Sequence, residues 1–405
     1  MTEKKIQVVH LGISGFPHSV TLAPIQKSYL IYKGLVEAGA DVLYINPIPQ
    51  TVPSDRYGDD SQGNLDGIKY IYTGGTPYRS EGFIARNWIK LKGGLQEARL
   101  LISLARQKKI DISILYTSHF SVLVYYCIWS RLLRFPIVMN YVEYRSAFDT
   151  KSKLRKISWH LTDRFAPQMV DGILPISEFL IKHVRERAPQ TPYLKVPALC
   201  DFSRYECLDY PHDTPRYLLY CGSAAYFEVA NFIVASFEML QAPDVYLYLI
   251  VNGWPHQQEK IEQRIGESSK KALIRTFSMV SNEDYAQLLF QAEGLLIPLR
   301  PIVQDIARFP NKVGEYVASG NPMITTPVGE INYYFEDQVT AFIAKSYHEK
   351  EFASKMQYLI DHPDHAKEVG KAAKQLGRQA FDYQSNGQLL LGFLNEVLHK
   401  KLLQS

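Results

Sequence analysis

The chain has 405 residues, 46% hydrophobic and 21% charged, a length that suits two domains or three and an apolar fraction that excludes disordered, collagen-like and fibrous classes. Its four cysteines, Cys127, Cys200, Cys207 and Cys221, form no CxxC pair and stand at no metal-ligand spacing from a histidine, so the reading is reduced thiols in a cytosolic protein, without a disulfide framework or zinc. The net charge of +4 is uneven: residues 1–200 carry 26 Lys and Arg against 16 Asp and Glu, residues 201–405 carry 19 against 25.

That asymmetry points to two domains with different partners, the basic one favouring an anionic surface. The plainer alternative, charge for solubility, stays open. No zinc finger, RNP-like aromatic pattern or basic–aromatic interleaving is present, so nucleic acid is not expected as a partner.

MTEKKIQVVH opens with two lysines before a short apolar run and shows no cleavage pattern, so no signal peptide is expected. A strand over 6–12 ends in a glycine loop. A helix over 24–38, strands at 41–45 and 68–72, and a basic helix over 84–109 follow. The window 111–131 has no charge between Asp111 and Arg131, long enough to span a bilayer. Its serines, threonine and His119 divide it instead into a strand at 112–116, a polar turn and a helix from about 120. Strands at 136–141 and 172–176 flank a helix at 152–168, and a helix over 177–187 closes the run. Alternating apolar, β-branched strands and helices imply βαβ units and a parallel sheet covered on both faces.

A proline-rich stretch over 188–215 interrupts the pattern, and alternation then resumes. Strands are predicted at 217–221, 245–251, 274–277, 294–298, 322–325 and 341–344. Helices are predicted at 230–240, 282–291, 312–318 and 351–361, with further helices to 403. The expected fold is α/β: two Rossmann-like doubly wound parallel-sheet domains facing across a cleft. The first covers 1–195 and the second 216–380, joined by a linker at 196–215, with helices over 381–405 packing back toward the first domain.

Open parallel sheets bind ligands beyond the carboxyl ends of their strands. The loops to watch are therefore 12–18, 118–120, 142–145, 222–225, 252–254, 279–281 and 300–311. Gly12-x-x-Gly15 lacks the G-x-G-x-x-G pattern and a ribose-binding carboxylate, so NAD is not expected there. The richest stretch runs from Arg308 to Pro322. A helix opens near Asn311, and its amino end suits phosphate. Arg308 and Lys312 add charged donors, and Glu315, one turn in, can accept two sugar hydroxyls. A solvated surface helix is the alternative.

KVGEYVASGNPMITTPVGE, from Lys312, resembles the donor-binding segment of retaining GT-B glycosyltransferases of the large "glycosyl transferases group 1" family. DGILPISEFL from Asp171, the Y-x-G at Tyr220 to Gly222, the stretch from Leu249 to Gly253 and that from Arg275 to Pro298 resemble other segments of that family, in order. The resemblance covers most of the chain and is strongest over 217–345. It implies a nucleotide-diphospho-sugar donor in the second domain, with Glu315 on the ribose, the base near Met279 and Val280, and the diphosphate at Asn311, Arg308 and Lys312. Gly12, Gly15, Gly222, Ser223, Asn252 and Gly253 line the expected ligand-binding loops. The acceptor, a sugar or a lipid-linked sugar, would enter from the first domain.

Three positions depart from the family pattern. Ala307 stands where a sugar-binding glutamate is usual, with Asp305 out of register. The loop after the first strand of domain two reads GSAAYFE and lacks the usual Arg and Lys. The first-domain loop that often carries histidine reads NYVEYR, which places Glu143 beside that position and leaves His119 and His18 as candidate imidazoles.

Charge dictates the expected chemistry. Breaking the anomeric C–O bond puts negative charge on the departing diphosphate, which Arg308, Lys312 and helix amides would stabilise. No clustered Asp-x-Asp is present, so no metal or cofactor is called for. Glu143, or the leaving phosphate itself, would take the acceptor's proton. The basic, partly apolar stretch KSKLRKISWH at 151–160 is a candidate for contact with an anionic membrane carrying the acceptor, at the inner face of the cell membrane. A nucleotide-sugar epimerase and a catalytically silent donor-binding subunit are the competing readings.

Overall fold

The computed structural model describes residues 5–19, 23–49, 60–206 and 215–404. It divides into two compact units: Met1–Leu199 with Tyr383–Ser405, and Cys200–Asp382.

The first unit runs β1 (Gln7–Gly12), α1 (Ala23–Glu37), β2 (Asp41–Asn46), β3 (Gln62–Leu65), β4 (Ile68–Tyr72), α2 (Phe83–Arg106), β5 (Ile112–Tyr116), α3 (Phe120–Leu133), β6 (Ile137–Tyr141), α4 (Lys153–Met169), β7 (Gly172–Pro175) and α5 (Glu178–Arg187). Its seven strands lie in the order β3-β4-β2-β1-β5-β6-β7, parallel except for the β3–β4 pair. β5, β6 and β7 are buried along their whole length, because helices cover both faces and each position needs an apolar or paired side chain. β3 (QGNL) was not expected. It is a mostly exposed edge strand with no apolar alternation to betray it.

The uncharged window resolves into β5 and the 14-residue α3. Among the described residues no helix is long and apolar enough to cross a membrane.

The second unit runs β8 (Tyr217–Ser223), α6 (Phe227–Glu238), β9 (Tyr246–Asn252), α7 (Pro255–Gly266), β10 (Ile274–Phe277), α8 (Asn282–Gln291), β11 (Gly294–Ile297), α9 (Val303–Ala307), α10 (Asn311–Ser319), β12 (Met323–Thr325), α11 (Ile331–Tyr334), β13 (Phe342–Ile343), α12 (Glu349–Asp361) and α13 (Pro363–Phe381). Its six parallel strands lie in the order β10-β9-β8-β11-β12-β13. The polar α7, absent from the predicted elements, buries only Ile261. Its signal is local: Pro255 at the first turn, and the Gln257 side chain accepting from the Trp254 amide at 3.0 Å.

The last helix, α14 (Tyr383–Gln404), belongs to the first unit and packs on α1. Tyr383, Leu390, Phe393, Leu394 and Val397 join that unit's core. The backbones meet at two glycines: a Cβ on Gly34 would lie 2.5 Å from the Tyr383 carbonyl oxygen, and one on Gly387 2.4 Å from the Gly34 carbonyl carbon. Tyr383 and Gln384 donate to the Glu37 carboxylate at 2.6 and 2.7 Å. Cys127, Cys200 and Cys221 are buried free thiols. Cys207 and most of the second half of the expected linker lie outside the described residues.

In each sheet, chain order reverses at one place: between β1 and β5 in the first, between β8 and β11 in the second. The crevice beyond the strand ends at such a point is where open α/β sheets bind ligands.

Candidate active site

In the second unit the switch point brings the loop after β8 beside the segment leading into α10. The chain leaves β8 at Gly222 and Ser223 in a tight turn, held by the Ala224 amide donating to the Asn252 carbonyl at 2.9 Å. This places Tyr226 at the start of α6. Its hydroxyl accepts from Arg308 Nη1 at 3.0 Å and Gln304 Nε2 at 3.3 Å. The guanidiniums of Arg308 and Arg300 sit 4.9 and 5.3 Å from its ring centre.

Asp305 ties the two arginines together. Its wholly buried carboxylate pairs with Arg300 Nε at 2.9 Å and Arg308 Nη2 at 2.8 Å, and accepts the Arg300 amide at 3.0 Å. Burial alone would raise its pKa; the hydrogen bonds and charges of the two arginines outweigh that and hold it below the usual carboxylate range. Two guanidiniums and one carboxylate leave a single net positive charge. Arg308 Nε is buried without a hydrogen-bond partner.

One turn into α10 a second cluster forms. Tyr285, from α8, donates to Glu315 Oε2 at 2.6 Å and accepts from Lys312 Nζ at 3.1 Å. Lys312 Nζ lies 3.7 Å from the same carboxylate oxygen. Burial, then the Glu315 charge, pushes the Tyr285 hydroxyl well above its ordinary pKa, so it remains a donor. Pro310 precedes the helix and offers no side-chain cap.

On the other side of α8, Thr276, Phe277, Met279, Val280, Asp284 and Leu288 help to line an open groove of about 620 Å³. Met279 turns out into solvent with a left-handed backbone (φ 55°), its amide donating to Asn252 Oδ1 at 3.0 Å. Asn252 and Met279, from separate loops, are thereby brought together, and α8 carries both the groove wall and Tyr285. Gly253 follows Asn252 on the surface.

In the first unit Gly12 needs its glycine: φ is +104°, and a Cβ would lie 2.3 Å from the Tyr116 carbonyl oxygen. The Asn46 side chain clamps the loop, accepting from the Gly15 amide at 2.8 Å and donating to the Phe16 carbonyl at 2.9 Å. The glycine loop is thus braced by its own domain.

Glu143 follows β6 and pairs with Arg145 at 2.5 Å. His119 is the residue before α3; burial, then the charges of Arg155 and Arg145, lower its pKa and keep the imidazole neutral. His18 contacts the Tyr72 hydroxyl at 3.2 Å. Lys27, on α1, was not singled out from sequence. It is 4% exposed, donates to the Val196 carbonyl at 3.2 Å, and has its pKa lowered to about 7 by burial, opposed by the charge of Glu143. Asn140, Glu143, Arg145 and Asp163 help to line a depression of about 10 Å³, room for one water.

Tyr226, Arg300 and Tyr285 were likewise missed as site residues. Only the position of Arg300 and Tyr226 in loops after strands pointed to them. No His, Cys, Asp and Glu grouping able to hold a metal is present among the described residues.

Two doubly wound units of this kind define the GT-B class of fold, and solved structures agree over nearly the whole chain. Sucrose-phosphate synthase from Thermosynechococcus elongatus superposes with a TM-score of 0.73 at 15% identity, covering 98% of this chain and all of that one. A glycosyltransferase from Rickettsia africae gives 0.71 at 13%, covering 97% and 99%. Anabaena HepE, in complex with UDP and glucose, gives 0.68 at 13%, covering 96% and 100%. No curated protein sequence matches the chain. Residues 215–362, within the second unit, match the family model described as Glycosyl transferases group 1.

Proposed function

We propose that this protein transfers a sugar from a nucleotide-diphospho-sugar to a hydroxyl acceptor, with retention at the anomeric carbon. The observation that carries the proposal is the net-positive Arg300–Asp305–Arg308 cluster beside the Lys312–Glu315–Tyr285 cluster at the β8/β11 switch point, within the segment that matches the family model. Glu315 accepts the donor ribose hydroxyls, steadied by Tyr285 and Lys312. The base lies in the groove at Met279 and Val280. HepE binding UDP and glucose makes UDP-sugars the first donors to test.

Bond breaking at the anomeric carbon leaves an oxocarbenium-like sugar and a diphosphate carrying the new charge. Arg308 and Lys312, with the amides opening α10, meet that charge, and Arg300 supports it through the shared Asp305. Their fixed placement is what favours the transition state, because no dipole has to turn as the bond breaks. The acceptor hydroxyl's proton passes to Glu143 or to the departing phosphate oxygen. Cations already occupy the site, so the reaction as proposed calls for no metal. The acceptor is a sugar hydroxyl, presented on a lipid-linked chain at an anionic membrane in polysaccharide or glycolipid assembly.

Calorimetry with UDP, GDP and ADP, followed by product analysis with the matching sugar nucleotides, tests the reading. Nucleotide binding that is lost in Glu315→Ala, together with transfer giving a retained anomer, is the expected result. Binding without turnover supports a silent subunit instead, and interconversion of free donor without acceptor supports an epimerase. No binding of any nucleotide overturns the assignment.

A further inference from the structure

Helix α2 is apolar on two opposite faces. Gly93, Glu97, Leu101 and Leu104 are buried on one side, where Thr73 donates to the Gly93 carbonyl at 2.9 Å and Tyr126 to Glu97 at 2.7 Å. On the other, Ile84, Trp88, Leu91 and Leu95 stand four, three and four residues apart and are 84%, 65%, 56% and 55% exposed. This spacing makes one continuous stripe, about 17 Å long at helical rise. An exposed apolar stripe of this length on a helix whose other face already serves the core marks an interaction surface.

The charge around the stripe identifies the partner. α3 packs beside both α2 and α4. The three helices together carry ten Lys and Arg and only two carboxylates, Glu97 and Asp163, each 2% exposed. The solvent-facing charge of this layer is therefore positive throughout. Lys92 and Arg99 border the stripe, with stems long enough to let apolar neighbours sink while their heads stay at phosphate level. Further exposed apolar side chains, Ile128 and Leu132 on α3 and Leu154 and Ile157 on α4, extend the pattern. A second copy of the chain seated here would set like charges against like charges, whereas anionic headgroups complement them.

We propose that the α2–α3–α4 layer of the first unit seats on an anionic lipid bilayer, with Ile84, Trp88, Leu91 and Leu95 inserted at the headgroup–acyl boundary. This gives a surface to the anionic membrane of the proposed function, and its test reads lipid binding alone, so it stands or falls separately from nucleotide binding by the second unit.

The test is co-sedimentation of the full chain with vesicles of pure phosphatidylcholine and of phosphatidylcholine with an equal part of phosphatidylglycerol. Binding to the mixed vesicles alone, weakened by salt and accompanied by a blue shift in tryptophan emission, is expected. The triple variant Ile84→Glu/Leu91→Glu/Leu95→Glu should bind at least ten-fold more weakly with an unchanged circular dichroism spectrum, and Trp88→Phe should lose the blue shift. Lys92→Glu/Arg99→Glu, which leaves the stripe intact, should also bind more weakly. Three results each overturn the proposal: no binding to the mixed vesicles in low salt, equal binding by the triple variant, or a dimer in light scattering that the triple variant dissociates.

Discussion

Asp305 stays ionised with no exposure to water because Arg300 and Arg308 both hold it. Replacing it with Asn leaves two guanidiniums facing a neutral amide, and such loss of a buried partner costs about 3 kcal/mol, read as a lowered urea midpoint. Its folded pKa is depressed, so its contribution is present above the ordinary carboxylate pKa and is lost as pH falls through the folded value. Lys27 is penalised by burial where Asp305 is held by its partners, yet the sign of its pH dependence is the same. With a folded pKa of about 7, it is forced toward neutrality, and the unfolded chain binds more protons between that pH and the ordinary lysine value. Wild-type stability relative to Lys27→Met should therefore rise with pH from about 7 to about 10. A difference that stays flat over denaturant titrations in that range would contradict the burial of this amine. At the site, Arg308→Ala should lower kcat by roughly 10²- to 10³-fold, the scale of removing one preorganised donor from a developing oxyanion.

Among the elements, α10 is the one whose local sequence and tertiary role coincide. Asn311, Lys312 and Glu315 fall in its first turn and a half, so one short helix offers amides, an ammonium and a carboxylate from one end. Glu315→Gln keeps the shape and removes the charge. It should weaken UDP binding by about 2 kcal/mol, roughly 30-fold, in calorimetry. The turn after β1 is an element-scale constraint of another kind. Gly12→Ala places a Cβ against the Tyr116 carbonyl in a left-handed backbone, and a loss of about 2 kcal/mol in a urea titration is expected. α7 illustrates a helix fixed mainly by its cap, since its apolar signal is a single buried isoleucine.

For the whole molecule, the chain's end completes the unit that its beginning starts. α14 supplies five buried side chains to the first core. At about 2 kcal/mol each that is roughly 10 kcal/mol, as large as the stability of a typical domain. A chain ending at Asp382 should thus fail to fold its first unit, seen as protease sensitivity and dye binding confined to residues 1–199. A truncated chain whose first unit resists protease as the full chain does would show that α14 is dispensable.

The alternation of β-branched runs with helices, the proline-rich interruption and the α10 segment were all legible in the residues, because each depends on neighbours a few positions apart. The same locality made the glycine loop and the Met279 turn stand out. The bond from Tyr226 to Arg308 spans 82 residues, and that from Tyr285 to Glu315 spans 30. Burial of Lys27 beneath the Val196 carbonyl bridges 169. No local pattern encodes such meetings, since sheet order sets them. Local propensity and periodicity wrote the elements, and only their packing decided which charges would be paired, which buried, and which left facing outward.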